Sequence, residues 1–216
     1  MVDSGAHALG CTVFAAGTGQ TELQIQAIAA LRPRGYIGTP SFLKIILDKA
    51  AEQGTDVKSL KKAVVSGEAL PQALRKEFKG HGIRVLQAYA TADLGLIAYE
   101  STAMEGLIVD DRIIVEIVRP GTGDPVPAGE IGEVIVTSLN REYPLIRFAT
   151  GDLSSAMPGL SPCGRTGMRL TGWKGRADQS TKVKGMFVTP GQIAEVVKRH
   201  PEIARARLVV DQRNGT

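Results

Sequence analysis

Alternation of short apolar runs with amphipathic runs, between residues 35 and 91, is the feature that most constrains the fold. The patterns "GYIG", "KKAVVSG" and "IRVLQAY" predict strands, and "SFLKIILDKAAEQ" and "LPQALRKEFKG" between them predict helices. Strand, helix and strand at this spacing are typical of a parallel sheet with crossover helices. The sequence therefore predicts an α/β fold for this region.

The ends of these segments carry recognisable signals. Thr39-Pro40 supplies a cap and a first-turn proline for one helix, which is expected to stop at Gly54. Upstream, "CTVFAA" predicts a strand and "TELQIQAIAALR" a helix, with Thr21 and Gln24 as a capping box. The "GTGQT" between them lacks the spacing of a phosphate-binding loop, which favours a strand-to-helix turn.

The alternation of predicted strands and helices stops after about residue 105. Three β-rich runs, "RIIVEIV", "GEIGEVIVTSL" and "PLIRFAT", follow one another without a helix, which predicts an antiparallel sheet or a small barrel. A helix is predicted again in "FVTPGQIAEVVKRH". We predict an α/β subdomain over 1–104, a β-rich barrel-like subdomain over 105–176, and over 177–216 a hinge and the incomplete start of a small α+β C-terminal domain.

Composition narrows the classes of function. A net charge of +4 with only 5% aromatic residues argues against a nucleic-acid-binding domain. The two cysteines, Cys11 and Cys163, and the three histidines match no metal-ligand spacing. Without a signal peptide or a transmembrane run in the sequence, we expect a cytoplasmic protein with no membrane partner.

Four polar segments are candidates for ligand binding. Two of them follow predicted parallel strands, where α/β sheets bind ligands. Tyr89 offers a flat face to a purine, and the backbone at Gly67 allows close approach. Asp152 is either an ordinary Gly-Asp turn residue or an acceptor for two vicinal hydroxyls, with Arg176 as a planar donor. The segments are "VVSGEAL", "LQAYATADLG", "RFATGDLS" and "GRADQSTKVKG".

These segments resemble, in collinear order over nearly the whole chain, the adenylate-forming enzymes and within them the phenylacetate–CoA ligase group. The resemblance implies a carboxylic acid substrate, with an aryl acid such as phenylacetate favoured, ATP with Mg²⁺, and coenzyme A as acceptor. It implies formation of an acyl-adenylate and then a thioester. The matching stretches include "GTGQTELQIQAIAALRP", "SGEAL", "YATADLG", "DPVPAGEIGEVIVTSL", "PLIRFATGDLS", "CGRTGMRLTGWKGRAD" and "VKGMFVTPGQIAEVV".

By position, the resemblance implies an adenine pocket in the first half of the chain. Ser66, Gly67 and Glu68 would line it, Tyr89 would lie against the base, and Gln87 would reach the adenine amino group.

It also implies roles for five further residues. Asp152 would hold the ribose hydroxyls with help from Arg176, and Asp178 would be the hinge of the C-terminal domain. Asp93 takes the place of the Mg²⁺-binding acid. Thr91 stands one place before the family's phosphate-contacting threonine, which is alanine here.

Other departures limit the resemblance. Gln179 replaces a common second aspartate at the hinge, and no "SSGTTG"-like phosphate loop is present. Lys182 and Lys184 come too early to be the family's catalytic lysine, so no catalytic residue is assigned in this chain. We therefore expect the central part of a longer ligase, with a degenerate, non-catalytic AMP-binding module as the alternative. A homodimer stays open.

Overall fold

The computed structural model describes residues 2–178, 181–183, 186–188 and 190–209. The chain divides into two compact units, Met1–Met104 and Glu105–Thr216, here called unit 1 and unit 2. The helices are α1 (Val2–Ala8), α2 (Thr21–Leu31), α3 (Pro40–Glu52), α4 (Gln72–Gly80) and α5 (Pro190–Arg199). The strands of unit 1 are β1 (Gly35–Gly38), β2 (Lys62–Val65), β3 (Arg84–Thr91) and β4 (Gly95–Glu100).

Unit 1 contains the predicted parallel sheet with crossover helices. Strands β1, β2 and β3 lie side by side in parallel, and β4 is antiparallel to β3. The helices α3 and α4 are the crossovers, and they bury one apolar stripe each. Phe78 of α4 and Ile46 of α3 are fully buried in the same core as Val65 of β2 and Val85 of β3. This part of the fold prediction is confirmed.

Local signals explain the ends of α3. The Thr39 side chain accepts a hydrogen bond from the Phe42 backbone N–H at 3.3 Å, as the predicted cap requires. Pro40 occupies the first turn, where its missing N–H costs nothing. The helix ends at Glu52, just before Gly54, which adopts a φ of +64°.

Three expectations for unit 1 are wrong. Residues 11–16 form no strand. The Thr21–Gln24 capping box is absent: Gln20 is the cap residue of α2, and the Gln24 amide donates instead to the Gly19 carbonyl at 2.9 Å. Finally, β3 does not end at Tyr89 as predicted but continues to Thr91, so "YATADLG" forms the end of this parallel strand and the turn into β4.

Unit 2 is β-rich, but its described residues form open sheets and no closed barrel, which corrects the barrel-like expectation. The strands are β5 (Leu107–Val109), β6 (Ile113–Val118), β7 (Gly132–Ser138), β8 (Phe148–Ser154), β9 (Ala156–Met157), β10 (Arg169–Leu170) and β11 (Gly175–Arg176). One sheet has the order β11-β8-β7-β6, and in the other β10 lies between β5 and β9.

The end of the described chain contains a short hairpin and one helix. Strands β12 (Thr181–Val183) and β13 (Met186–Val188) pair antiparallel, and α5 follows as predicted. Gln179 and Lys184, singled out in the sequence, lie outside the described residues. Among the helices that the structure describes, none has the length and apolar character needed to cross a bilayer.

Candidate functional site

The Ser66–Glu68 loop follows β2 and is tied to the start of α3. The Ser66 N–H donates to the Gly38 carbonyl at 3.0 Å, and Gly67 adopts a φ of +80°, which favours glycine. Glu68 accepts from the Ser41 hydroxyl at 2.8 Å and from the Ser41 backbone N–H at 3.3 Å. The carboxylate therefore satisfies a free N–H in the first turn of α3 and holds the loop in place.

Tyr36 lies beneath this junction. Its hydroxyl donates to the Thr39 carbonyl at 3.3 Å. Burial, together with the nearby negative charge of Glu68, raises the pKa of Tyr36 from 10.0 to about 12. The raised pKa extends the pH range over which the phenol keeps its proton and donates to the Thr39 carbonyl.

Gln87 and Tyr89 lie in β3 beside this loop. They are two residues apart in one strand, so their side chains leave the same face of the sheet. In the parallel register Gln87 is opposite Val65, the residue directly before Ser66. Gln87 therefore lies where the parallel pairing of β2 and β3 ends, one position before Ser66 in the register. Ligands of α/β sheets bind near the carboxyl ends of the parallel strands.

An ion pair that the sequence reasoning missed supports this strand. The Arg75 Nη2 donates to the two carboxylate oxygens of Glu100 at 2.9 and 3.0 Å, and the side chains are only 17% and 10% exposed. The same carboxylate accepts the Gln87 backbone N–H at 2.8 Å, and Arg75 Nη1 donates to the Val85 carbonyl at 2.8 Å. Arg75 and Glu100 therefore contact β3 on both sides of Leu86.

The turn after β3 carries Thr91 and Asp93. The Thr91 hydroxyl oxygen accepts the Leu94 N–H at 3.2 Å and so closes the turn, while Asp93 is exposed. No group of three metal-ligating side chains occurs among the described residues. Mg²⁺ that travels with a nucleotide needs only one or two protein carboxylates besides the phosphates and waters, which an exposed aspartate on a turn fits.

In unit 2, Asp152 lies inside β8 and not at a bend after a strand, which corrects the sequence interpretation. Arg176 of β11 is directly opposite in the register. Asp152 Oδ1 accepts from the Trp173 indole N–H at 3.0 Å and from Arg176 Nη1 at 3.3 Å. Its side chain is 13% exposed. Asp152 is thus a largely buried carboxylate oriented by two donors.

The geometry favours glycine at position 151, next to this carboxylate. Its φ is +72°, and a Cβ at this position would lie 2.6 Å from Arg176 Nη2. Burial opposes the charged form of Arg176, but the carboxylates of Asp152 and Asp178 together raise its pKa. Arg176 Nε donates to Asp178 Oδ1 at 3.4 Å, so the ribose and hinge residues predicted in unit 2 lie together.

The structure thus groups the predicted site residues in two clusters. The unit 1 cluster contains Ser66, Gly67, Glu68, Gln87 and Tyr89, with Thr91 and Asp93 on the turn after β3. The unit 2 cluster contains Asp152, Arg176 and Asp178. Sequence reasoning missed Trp173, Ser41, Arg75 and Glu100 as parts of these clusters. A signal existed only for Trp173, which stands three residues before Arg176 in "GWKGRAD".

Comparison with known proteins decides the family. Residues 4–140 match the family model described as AMP-binding enzyme. The chain belongs to this family.

Curated relatives point to one group within this AMP-binding family. The chain is 32% identical over 220 residues to a phenylacetate–coenzyme A ligase of Thermus thermophilus, a match that covers 98% of the chain and 49% of the relative. It is 34% identical over 212 residues to the ligase of the same name from Escherichia coli, covering 93% of the chain and 47% of the relative. The chain therefore spans about half the length of the curated relatives it matches.

A solved structure agrees in fold. An open conformation of 2-hydroxyisobutyryl-CoA ligase, crystallised with 2-HIB-AMP and CoA, superimposes with a TM-score of 0.81 at 26% identity. The match covers 91% of this chain and 49% of that one. The α/β architecture followed by a β-rich unit is accordingly that of an adenylate-forming enzyme.

Proposed function

We propose that the protein to which this chain belongs activates a carboxylic acid with ATP and transfers it to coenzyme A. The observation that carries the proposal is the similarity to phenylacetate–coenzyme A ligases over 98% of the chain. An aryl acid such as phenylacetate is the favoured substrate class.

The proposed reaction has two steps. A carboxylate oxygen attacks the α-phosphate of ATP, the bond to pyrophosphate breaks, and an acyl-adenylate forms. The coenzyme A thiolate then attacks the acyl carbon, and AMP leaves. The first step is needed because a carboxylate anion resists nucleophilic attack until its oxygen belongs to a good leaving group. Cationic groups offset the phosphate charge that develops during the transfer.

The chain's residues would supply the nucleotide contacts. In unit 1 the Gln87 amide would contact the adenine amino group. The Tyr89 ring would lie against the face of the adenine ring, and the Ser66–Glu68 loop would line the edge of that ring. This assignment is supported by the register that sets Gln87 opposite Val65. Asp93 would bind the Mg²⁺ that neutralises the phosphates, with Thr91 as a phosphate contact.

In unit 2, the Asp152 carboxylate would accept hydrogen bonds from the two ribose hydroxyls. This role is supported by the hydrogen bonds from Trp173 and Arg176, which orient the carboxylate. Asp178 would act as the hinge residue between the two half-reactions. We further propose a cytoplasmic location, as expected from the sequence, and leave a homodimer as the open implication of the family resemblance.

Acid-dependent release of pyrophosphate by the complete gene product tests the proposal. With phenylacetate and a panel of aryl and short-chain acids, we expect release with at least one acid and loss of AMP binding in Asp152→Ala. Asp124→Ala is the matched control, because this exposed aspartate lies in the loop between β6 and β7. Absence of acid-dependent release with every acid would contradict the ligase.

A degenerate, non-catalytic AMP-binding module is the second candidate. The altered "YATAD" turn favours it, since alanine replaces the family's phosphate-contacting threonine and the Thr91 hydroxyl already closes the turn to Leu94. Binding of AMP by calorimetry, without turnover of any acid, would identify this alternative.

A further inference from the structure

The backbone N–H of Gln87, a residue of β3, donates to the side chain of Glu100. The antiparallel ladder between β3 and β4 ends at the pair Ala88 and Tyr99, and Glu100 is the last residue of β4. At the next position the Glu100 carboxylate, instead of a backbone carbonyl, accepts the Gln87 N–H at 2.8 Å. A side chain on the β4 side thus helps to position the backbone of Gln87, which pairs with Val65 of β2 on its other side.

The Glu100 carboxylate is itself held firmly. Arg75 Nη2 donates to both of its oxygens, and Arg75 Nη1 donates to the Val85 carbonyl, two residues before Gln87. Both side chains are largely buried, so the charges are poorly screened and their geometry is restrictive. The network links α4 to β3 at Val85 and, through Glu100, at Gln87.

We infer that Arg75 and Glu100 are positioning residues for recognition of the adenine base. This inference rests on the proposed function, in which the Gln87 side chain reads the adenine amino group. A shift in the Gln87 backbone moves its amide relative to the base. Buried hydrogen-bonding sites discriminate strongly against ligands that lack the matching group, and this discrimination depends on exact placement. The pair therefore contributes to base selectivity without touching the nucleotide.

The comparison of AMP with IMP, which carries a carbonyl in place of the adenine amino group, isolates this role. In the complete gene product we expect tighter binding of AMP than of IMP by calorimetry. Gln87→Ala should abolish the preference. Glu100→Ala should lower the ratio of AMP to IMP affinity by about tenfold. Glu100→Gln keeps an oxygen that can accept the Gln87 N–H, and it should retain most of the preference.

Glu77→Ala is the matched control for a purely structural effect. Glu77 lies on α4, as Arg75 does, and its carboxylate pairs with Lys44 of α3 at 2.6 Å. If Glu100→Ala and Glu77→Ala both lower the melting temperature while the AMP to IMP ratio stays unchanged, the inference is overturned. If Glu100→Ala does not fold, an unchanged AMP to IMP ratio in Arg75→Lys overturns the inference.

Different results refute the proposed function and the positioning role of Arg75 and Glu100. A wild-type protein that binds AMP, loses its preference in Gln87→Ala and keeps it in Glu100→Ala refutes the positioning role alone. A wild-type protein that does not bind AMP refutes the proposed function, and the positioning role with it.

Discussion

Gly151 shows how one residue shapes the candidate ribose-binding cluster. Two independent constraints apply there, a φ of +72° and the guanidinium of Arg176 where a Cβ would be. We expect Gly151→Ala to destabilise the fold by about 1–3 kcal/mol and to displace Arg176 from Asp152. Urea unfolding measures the loss of stability.

Gly129→Ala is the control for Gly151→Ala. Gly129 has a φ of +87°, but nothing lies within 4 Å of its would-be Cβ. Gly129→Ala should therefore lower the free energy of unfolding only by the backbone strain, about 1–2 kcal/mol. Equal losses in the two variants would show that the Arg176 contact adds nothing.

Tyr36 makes stability depend on pH. In the folded chain its pKa is raised from 10.0 to about 12. Between these two values the unfolded chain releases the phenolic proton while the folded chain keeps it, so stability falls as pH rises. Below pH about 10 the contribution is fully present, because both states hold the proton.

The measurement for Tyr36 is the urea midpoint at about pH 9 and about pH 11 in wild type and Tyr36→Phe. The wild type should lose more stability over this interval than the variant, which has no phenol to ionise at this site. An equal loss in both proteins would contradict the raised pKa.

At the scale of elements, helix α3 depends on its cap. The Thr39 hydroxyl accepts the Phe42 N–H, one of the four N–H groups that the first turn leaves without a helical partner. Thr39→Ala should cost about 1 kcal/mol of unfolding free energy. Thr39→Ser keeps the oxygen and should cost much less, so urea denaturation of the two variants separates the cap from other effects of residue 39.

Elements were predictable where local signals agree. The pair Thr39-Pro40 and the spacing of apolar residues in α3 point to the same helix, which the structure contains. Gln24 shows the opposite case, because its side chain found carbonyl partners in the preceding loop instead of closing the predicted capping box. The competing partners come from a loop conformation that no local pattern reveals.

At the scale of the whole molecule, the main feature is that the chain spans about half the length of the curated relatives it matches. The chain covers 49% of the Thermus thermophilus ligase. The family resemblance implies that the phosphate loop and the catalytic lysine are not among its residues. We expect the 216-residue chain alone to catalyse neither half-reaction. Assays of pyrophosphate release and thioester formation, run beside the complete gene product, check this. Thioester formed by the short chain would contradict it.

The sequence by itself determined the family and the parallel sheet that contains β1, β2 and β3, and it proposed Asp152 and Gln87 as nucleotide-binding residues. These follow from periodicity and from ordered motifs, which are properties of neighbouring positions. Only the tertiary structure decided that Asp152 lies within a strand beside Trp173, and that Glu100 and Arg75 support Gln87. Arg75 and Glu100 are 25 residues apart, and a contact across that distance depends on how β3, β4 and α4 pack, which local sequence does not encode.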